Sequence, residues 1–508
     1  MSVLSVVTSS RPVTRTTGTR EEIAVATLPE RPDIDWLRRQ ARDLQRGVRA
    51  GDPDALRRAS IPVADSAFRL ADAHRAIARA HGFTSWPRLQ SHVRAIAGRT
   101  WIPGPAPDDE TPAHRFVRVS CETWTGTPPD LDGARSVLET HPDIADDPAA
   151  ATVLGDVDRV SAHLRSHAPG TPCGPFGWSL LMYAAYSRWP VGEADALGVV
   201  EALLQAGADP DDGRHFVGHA TPFTVLTGLF GGGEHDESPH PHRDALARGL
   251  LRAGAEPTDA QLLYDRMFTT DDEHLRLLFA FGLGSGDGGP WRRRLPDLVP
   301  PPDALLRQQL TWAIVHGMRD RVALLADHGV DVDAPLPDGP GPVRGGATPI
   351  AVAVRSGQPE IADDLRARGA HEPEVDADDA LLGAMLAGET ATVRAADAAV
   401  VDEARRRHPG FAAWAATRGV PAVAAALAAG FDVDGLGRSD APIDQPWQTA
   451  LHTAVERDDV DLVAWLLAHG ASTVIRDARF GATPLGWAGH LGRPRCADVL
   501  RSAETTDG

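Results

Sequence analysis

The sequence predicts an all-α solenoid of stacked helix–turn–helix units, preceded by a small basic helical module. Three observations carry that prediction. Apolar residues recur at helical spacing along most of the 508 residues. The chain is also rich in turn formers, with Gly 49 and Pro 41, which suits many short helices better than a few long ones. A short phrase beginning with Thr or Ser returns along the chain and is answered by a Gly further on, usually followed by Ala.

Residues 1–33 are rich in Thr, Ser, Arg and Pro without periodicity and read as a disordered tail. Residues 34–99 form the basic module. Trp36, Leu37, Ala41, Leu44 and Val48 share one helical face until Gly51-Asp52-Pro53 breaks the chain. A second helix spans roughly 70–81 and ends at Gly82, and Thr84 or Ser85 then caps a third, bearing Trp86, Leu89, Val93 and Ile96. Residues 100–112 read as a Pro-rich linker, 113–503 as the repeat array and 504–508 as a tail.

Within 113–503 the phrase is clearest at Thr449-Ala450-Leu451-His452-Thr453-Ala454, followed by Leu466-Leu467-Ala468-His469-Gly470-Ala471. It recurs as Thr348-Pro349-Ile350 with Arg368-Gly369-Ala370, as Thr483-Pro484-Leu485, and more loosely from Ser179 to Gly207 and from Thr221-Pro222-Phe223 to Gly254. Thr449 to Gly470 and Thr348 to Gly369 are both 21 residues, and counting back 21 from Gly329 puts Ala313 where Ala is expected. The longer spans from Ser179 and Thr221 hold insertions of loop composition. The chemistry of the phrase is that of a helix start. Thr offers an N-cap oxygen worth about 1 kcal/mol, Pro follows where no amide hydrogen is needed, and Gly closes the second helix in the left-handed conformation.

These phrases resemble the ankyrin repeat, a unit of about 33 residues with a Thr-Pro-Leu-His-x-Ala motif. The resemblance is strongest at 177–257 and 308–503 and fades at 258–290 and 375–408, where helix-pair spacing survives alone. A tetratricopeptide array lacks support, because its Trp, Leu-Gly and Tyr pattern is missing. The segment with Gly82-Phe83-Thr84-Ser85-Trp86-Pro87 and Leu89 is similar to the helical leader before the repeats of some bacterial ankyrin proteins. The ankyrin resemblance implies roughly ten stacked units and a partner protein held on the concave surface of first helices and loop tips. It also implies that His452 hydrogen-bonds between loops.

Composition narrows the chemistry. All 51 basic residues are arginine, and there is no lysine or asparagine. That excludes a phosphate-binding lysine, a Schiff base and a Ser-Lys dyad. No GxSxG or HExxH motif occurs, and the three cysteines are widely spaced. The expectation is a non-enzyme without catalytic residues, cofactor or metal. No apolar run is long enough to span a membrane and the start lacks a secretory core, so a cytoplasmic setting is expected.

Two alternatives have residues behind them. His215, His219, His235, His240 and His242 lie in or beside a His-rich insertion that could hold a metal, although a solvated loop is the commoner outcome of such a composition. Residues 1–99 hold 17 Arg against 10 Asp and Glu, leaving −26 for residues 100–508 out of a total of −19. Arg88, His92 and Arg94 could therefore present a basic helix to nucleic acid. The overall negative charge opposes that, and the same asymmetry would let the basic module dock on its own acidic body. Gly284-Ser285-Gly286-Asp287-Gly288-Gly289 matches GxGxxG but is followed by Pro290-Trp291-Arg292-Arg293-Arg294, which reads as a loop. Asp209, Asp331, Asp333, Asp432 and Asp434 follow closing glycines and read as turn formers.

The expected function is an interaction scaffold, monomeric, with a partner carrying basic segments. By position between a closing Gly and the next Thr, the expected contacts are Arg214, His215, Phe216, Arg344, Arg438, Arg476, Arg479 and Phe480.

Overall fold

The computed structural model describes residue 28 and residues 33–101, 104–123, 128–216, 221–233, 236–336, 346–438 and 446–504. Most of the expected tail 1–33, and residues 505–508, lie outside these. Among the described residues 28 α-helices stand against three two- to four-residue strands, so the chain is of the all-α repeat class. It divides into two compact units, Met1–Pro302 and Asp303–Gly508.

The first unit opens with the basic module. Helix α1 (Ile34–Ala50) is capped by the Asp33 carboxylate, which accepts from the amides of Asp35 and Trp36. The break at Gly51-Asp52-Pro53 is also a start, because Asp52 caps a further short helix, α2 (Pro53–Ala59). Helix α3 (Leu70–Ala80) follows. Ser85, not Thr84, caps α4 (Trp86–Ile96) by accepting from the Arg88 amide. Leu37, Leu44, Val48, Phe68, Ile77, Phe83, Leu89 and Val93 close a core belonging to this module alone. Several of its arginines are locally paired, as Arg38 with Asp35, Arg46 with Asp43, Arg57 with Asp54 and Arg75 with Asp72. Such exposed pairs add little stability.

The linker expected at 100–112 is pinned at both ends. Strand β1 (Thr100–Trp101) runs parallel to β2 (Gly213–Phe216), with Thr100 opposite His215 and Trp101 opposite Phe216. Strand β3 (Phe223–Thr224) pairs antiparallel on the other edge of β2. At the far end Arg118 holds Glu110 with two hydrogen bonds of 2.8 and 2.9 Å. The strand pairing also moves a helix start. Thr224, not Thr221, caps the helix Val225–Phe230, because Phe223 and Thr224 are first drawn into β3. Thr221 instead donates to the Gln261 side chain at 2.5 Å.

Helix pairs then repeat in each unit. In the first, Leu180–Tyr186 pairs with Glu193–Gln205 and Val225–Phe230 with Arg243–Arg252, and Ala260–Met267 is followed by Glu273–Ala280. In the second, Pro349–Arg355 pairs with Pro359–Ala367, Ala377–Leu386 with Thr390–Ala395, Ala450–Glu456 with Val460–Ala468, and Pro484–His490 with Pro494–Glu504. Pairing thus persists where the Thr-Pro phrase fades. At Ala260–Met267 the buried Asp259 carboxylate replaces Thr, accepting from two amides of its own helix and from the hydroxyls of Thr224 and Thr227. Thr348, Thr449, Thr483 and Ser179 are N-caps as expected. Gly369 and Gly470 close their helices at φ 91 and 89, with nothing within 4 Å of where a Cβ would stand. The left-handed backbone, not crowding, requires glycine there. In the second unit Leu382, Phe411, Trp414, Leu451, Leu462, Leu466 and Leu500 lie in one buried cluster.

The aspartates after the closing glycines do more than form turns. Asp209, Asp331 and Asp432 accept from the amides of Asp211, Asp333 and Asp434 at 3.0, 2.9 and 2.9 Å, which shapes the turn. The second aspartate of each pair then reaches the following repeat. Asp211, Asp333 and Asp434 accept from the amides of Glu256, His371 and Ser472 at 2.8, 2.9 and 2.9 Å. Burial, with the nearby charges of Asp209, Asp259 and Glu256, raises the pKa of Asp211 to about 6 despite the Glu256 amide.

Replacing Asp434 with Ala leaves the Ser472 amide without this acceptor. We expect a loss of about 1–2 kcal/mol, read as a lower urea midpoint with faster exchange of the Ser472 amide. For Asp211 the folded pKa lies above the unfolded value of 3.8, so the native state binds more protons between the two. Stability must then fall as pH rises through about 4 to 6. Thermal midpoints across that window should show a flatter profile for Asp211→Asn, and an unchanged slope would contradict the assignment.

Candidate functional site

Two neighbouring loops of the second unit form its most developed tip. The first is closed at its base by Gly437 and Gln448, which exchange hydrogen bonds of 2.9 and 2.8 Å; residues 439–445 lie outside the described residues. The second, 476–482, is organised by one side chain. The buried Asp477 carboxylate accepts from the amides of Arg479, Phe480 and Ala482 at 2.9, 2.6 and 2.9 Å and from the Trp487 indole at 3.1 Å. Burial pushes the Asp477 pKa up, but these donors outweigh it and hold the carboxyl below its usual value.

The loops are joined by the Ala478 amide, which donates to the Trp447 carbonyl at 2.7 Å. His452 ties the same neighbours from inside. Its Nε2 meets the Ala482 carbonyl at 3.1 Å, while Nδ1 faces the Thr449 hydroxyl at 2.8 Å and amide at 3.3 Å. Burial lowers its pKa, so the neutral ring with hydrogen on Nε2 satisfies every contact. The loop-to-loop role implied by the resemblance is the one observed.

On this frame the outward groups are aromatic and cationic. The Arg438 guanidinium lies 4.4 Å from the Trp447 ring centre and that of Arg479 lies 5.2 Å from it, with Phe480 5.3 Å from Arg479. Trp447, Phe480 and Trp487 sit about one ring contact apart, at 6.4 to 6.5 Å. Phe480 is 45% exposed. Arg476 donates to the Gly481 carbonyl at 2.6 Å, bracing the loop.

Four expected contact residues, Arg438, Arg476, Arg479 and Phe480, are thus brought to one tip. Trp447, the ring on which the arginines stack, was missed. Its signal was position alone, just before the capping phrase at Thr449. Arg344 lies outside the described residues.

Arg214, His215 and Phe216 are corrected as a contact tip. They form β2, where Arg214 and Phe216 are buried, and the edge of β2 is taken by β1. Phe216 packs 4.3 Å from Phe223 and 4.7 Å from Trp101. Arg214 turns onto Asp212 at 3.0 Å and the Gly213 carbonyl at 2.8 Å. Sequence position placed these residues in a loop, and pairing with a distant strand buried them.

The other candidates are held internally. His240 is buried, with its pKa pushed down to about 3 by burial, and its Nδ1 accepts from the His242 amide at 3.0 Å. His242 Nε2 lies 2.8 Å from the Val191 carbonyl. His219 and His235 lie outside the described residues, among which no group of three or more His, Cys, Asp or Glu is placed to hold a metal ion. In the basic module, Arg88 pairs with Asp297 and His92 is buried beside Phe83. Two of the three side chains considered for nucleic acid are therefore occupied. The GxGxxG stretch precedes a short helix, Gly289–Arg294, where Trp291 donates to the Asp211 carbonyl at 2.8 Å and Arg293 grips Asp287. All three cysteines are free. No helix among the described residues is long and apolar enough to cross a membrane.

Residues 447–478 match the family model of the ankyrin repeat. The matched segment begins at the ring of the tip and ends at the amide that binds its backbone. Comparison with curated proteins gives no match. The helix pairing and the aspartate link seen around this segment recur at Asp211 and Asp333, which supports an ankyrin-repeat protein.

Removing the organiser should open the second loop. In Asp477→Ala we expect trypsin to cut after Arg476 and Arg479 at least about tenfold faster than in the parent, reflecting the loss of several hydrogen bonds of order 1 kcal/mol each. Cleavage sites mapped by mass spectrometry check this, and unchanged protection would contradict the role given to Asp477.

Proposed function

We propose that this chain is a non-enzymatic interaction protein that holds a partner protein at the tip formed by Arg438, Trp447, Arg479 and Phe480. The observation that carries this reading is an exposed aromatic ring beside stacked guanidiniums, on loops held rigidly from below. Aromatic and arginine side chains dominate the energetics of protein interfaces, and ankyrin repeats serve generally as protein-binding modules. The chain acts as a monomer without cofactor, in a reducing cytoplasmic setting that suits three free thiols. The basic module is the leader of a bacterial ankyrin protein, a reading supported by its separate core and its ion pair from Arg88 to Asp297. Away from the tip, the −26 of residues 100–508 favours partners with basic segments.

Affinity capture from the parent cells tests the reading. The Arg479→Glu/Phe480→Ala variant should lose its captured partner by about tenfold or more, the scale of losing a hot spot. Arg88→Glu should retain it. Loss with Arg88→Glu alone would move recognition to the leader, and equal capture by all forms would remove the tip from the function.

A further inference from the structure

We propose that the tip recognises a short acidic segment of the partner, one in which carboxylates flank an aromatic or large aliphatic side chain. This deepens the interaction reading and rests on it. The average charge of the chain points the other way, so the local arrangement has to decide. Several exposed arginines elsewhere sit beside carboxylates of their own helix, as Arg38 with Asp35, Arg135 with Asp132, Arg366 with Asp363 and Arg501 with Asp498. Arg476 and Arg479 are held differently. Neither Arg476 nor Arg479 is ion-paired to a carboxylate among the described residues. The carboxylate nearest in sequence, Asp477, is buried and turned to backbone amides and an indole.

Among the described residues the tip is a cationic, aromatic patch on an acidic protein. Charges beyond about 8 Å are largely screened at physiological ionic strength, so a docked segment senses the groups of the tip more strongly than charges farther away. Stacking on Trp447 and Phe480 restrains Arg479 and leaves the donors of its planar fork for a carboxylate. Restraint before binding lowers the entropy cost of each contact. The exposed Phe480 supplies the apolar half of the site. Single-stranded nucleic acid shares some of this chemistry through phosphate and base stacking. A long polyanion, however, would also have to approach the −26 of residues 100–508, whereas a short peptide segment engages the tip alone.

A random-peptide display selection on the full chain tests the proposal, followed by fluorescence anisotropy of the enriched peptides against the parent, Arg479→Glu and Phe480→Ala. Arg479→Lys serves as a conservative control, and unchanged thermal midpoints establish that each variant folds. The expected result is enrichment of peptides with several Asp or Glu beside an aromatic or large aliphatic residue. Their affinity should drop about tenfold or more in Arg479→Glu and in Phe480→Ala, drop less in Arg479→Lys, and weaken as salt rises. Enrichment of basic or uncharged peptides overturns the proposal, as do acidic peptides indifferent to both variants. Tighter binding of an oligothymidylate that both variants abolish replaces the peptide with nucleic acid. An empty selection also overturns it, yet leaves tip-dependent capture of a folded partner standing, so the two readings fail separately.

Discussion

In three repeats the loop opens with a backbone amide bonded to an aspartate of the repeat before it. Asp211 serves Glu256, Asp333 serves His371 and Asp434 serves Ser472, each across comparable spacing. The link fixes how far one repeat is displaced from the next, and so where these loop tips land. Apolar packing between helix pairs is stronger in total but tolerates sliding, whereas a directional hydrogen bond does not. At 447–482 the same logic is reinforced by His452 and by the Ala478 amide. Those bonds set Trp447 beside Phe480.

Charge in this protein is organised by neighbourhood rather than by average. The basic module carries the positive excess, while several of its arginines pair along its own helices. Several loop aspartates are engaged by backbone amides. A carboxylate turned inward in this way keeps its charge but does not engage a neighbouring guanidinium. Asp477 does this at the tip, where Arg476 and Arg479 are exposed.

Much of this architecture was legible before any tertiary contact was considered. Ser179, Thr348, Thr449 and Thr483 cap the helices that their phrases announce, and Gly369 and Gly470 close the second helices of their pairs, because capping depends only on neighbouring backbone. The helices of the basic module follow their apolar spacing for the same reason, except that Asp52 begins a helix where only a break was read. Thr221 failed as a cap because the residues after it are claimed by β2, a partner set by the fold rather than by the phrase. Residues 214–216 failed as a contact tip for the same cause, since β1 arrives from more than a hundred positions earlier.

The sequence by itself therefore determined the helical repeat class, the helix boundaries set by caps and closing glycines, and the split between a basic first hundred residues and an acidic remainder. Each is encoded within a few residues or in simple counts. Tertiary structure alone decided which loops remain tips. It buried Phe216 against Trp101 and Arg214 within its strand, turned Asp477 inward, and brought Arg438, Trp447 and Arg479 together from adjacent repeats. The physical reason is that a strand edge or an aromatic face selects its partner by where packing places it, and position along the chain does not encode that distance.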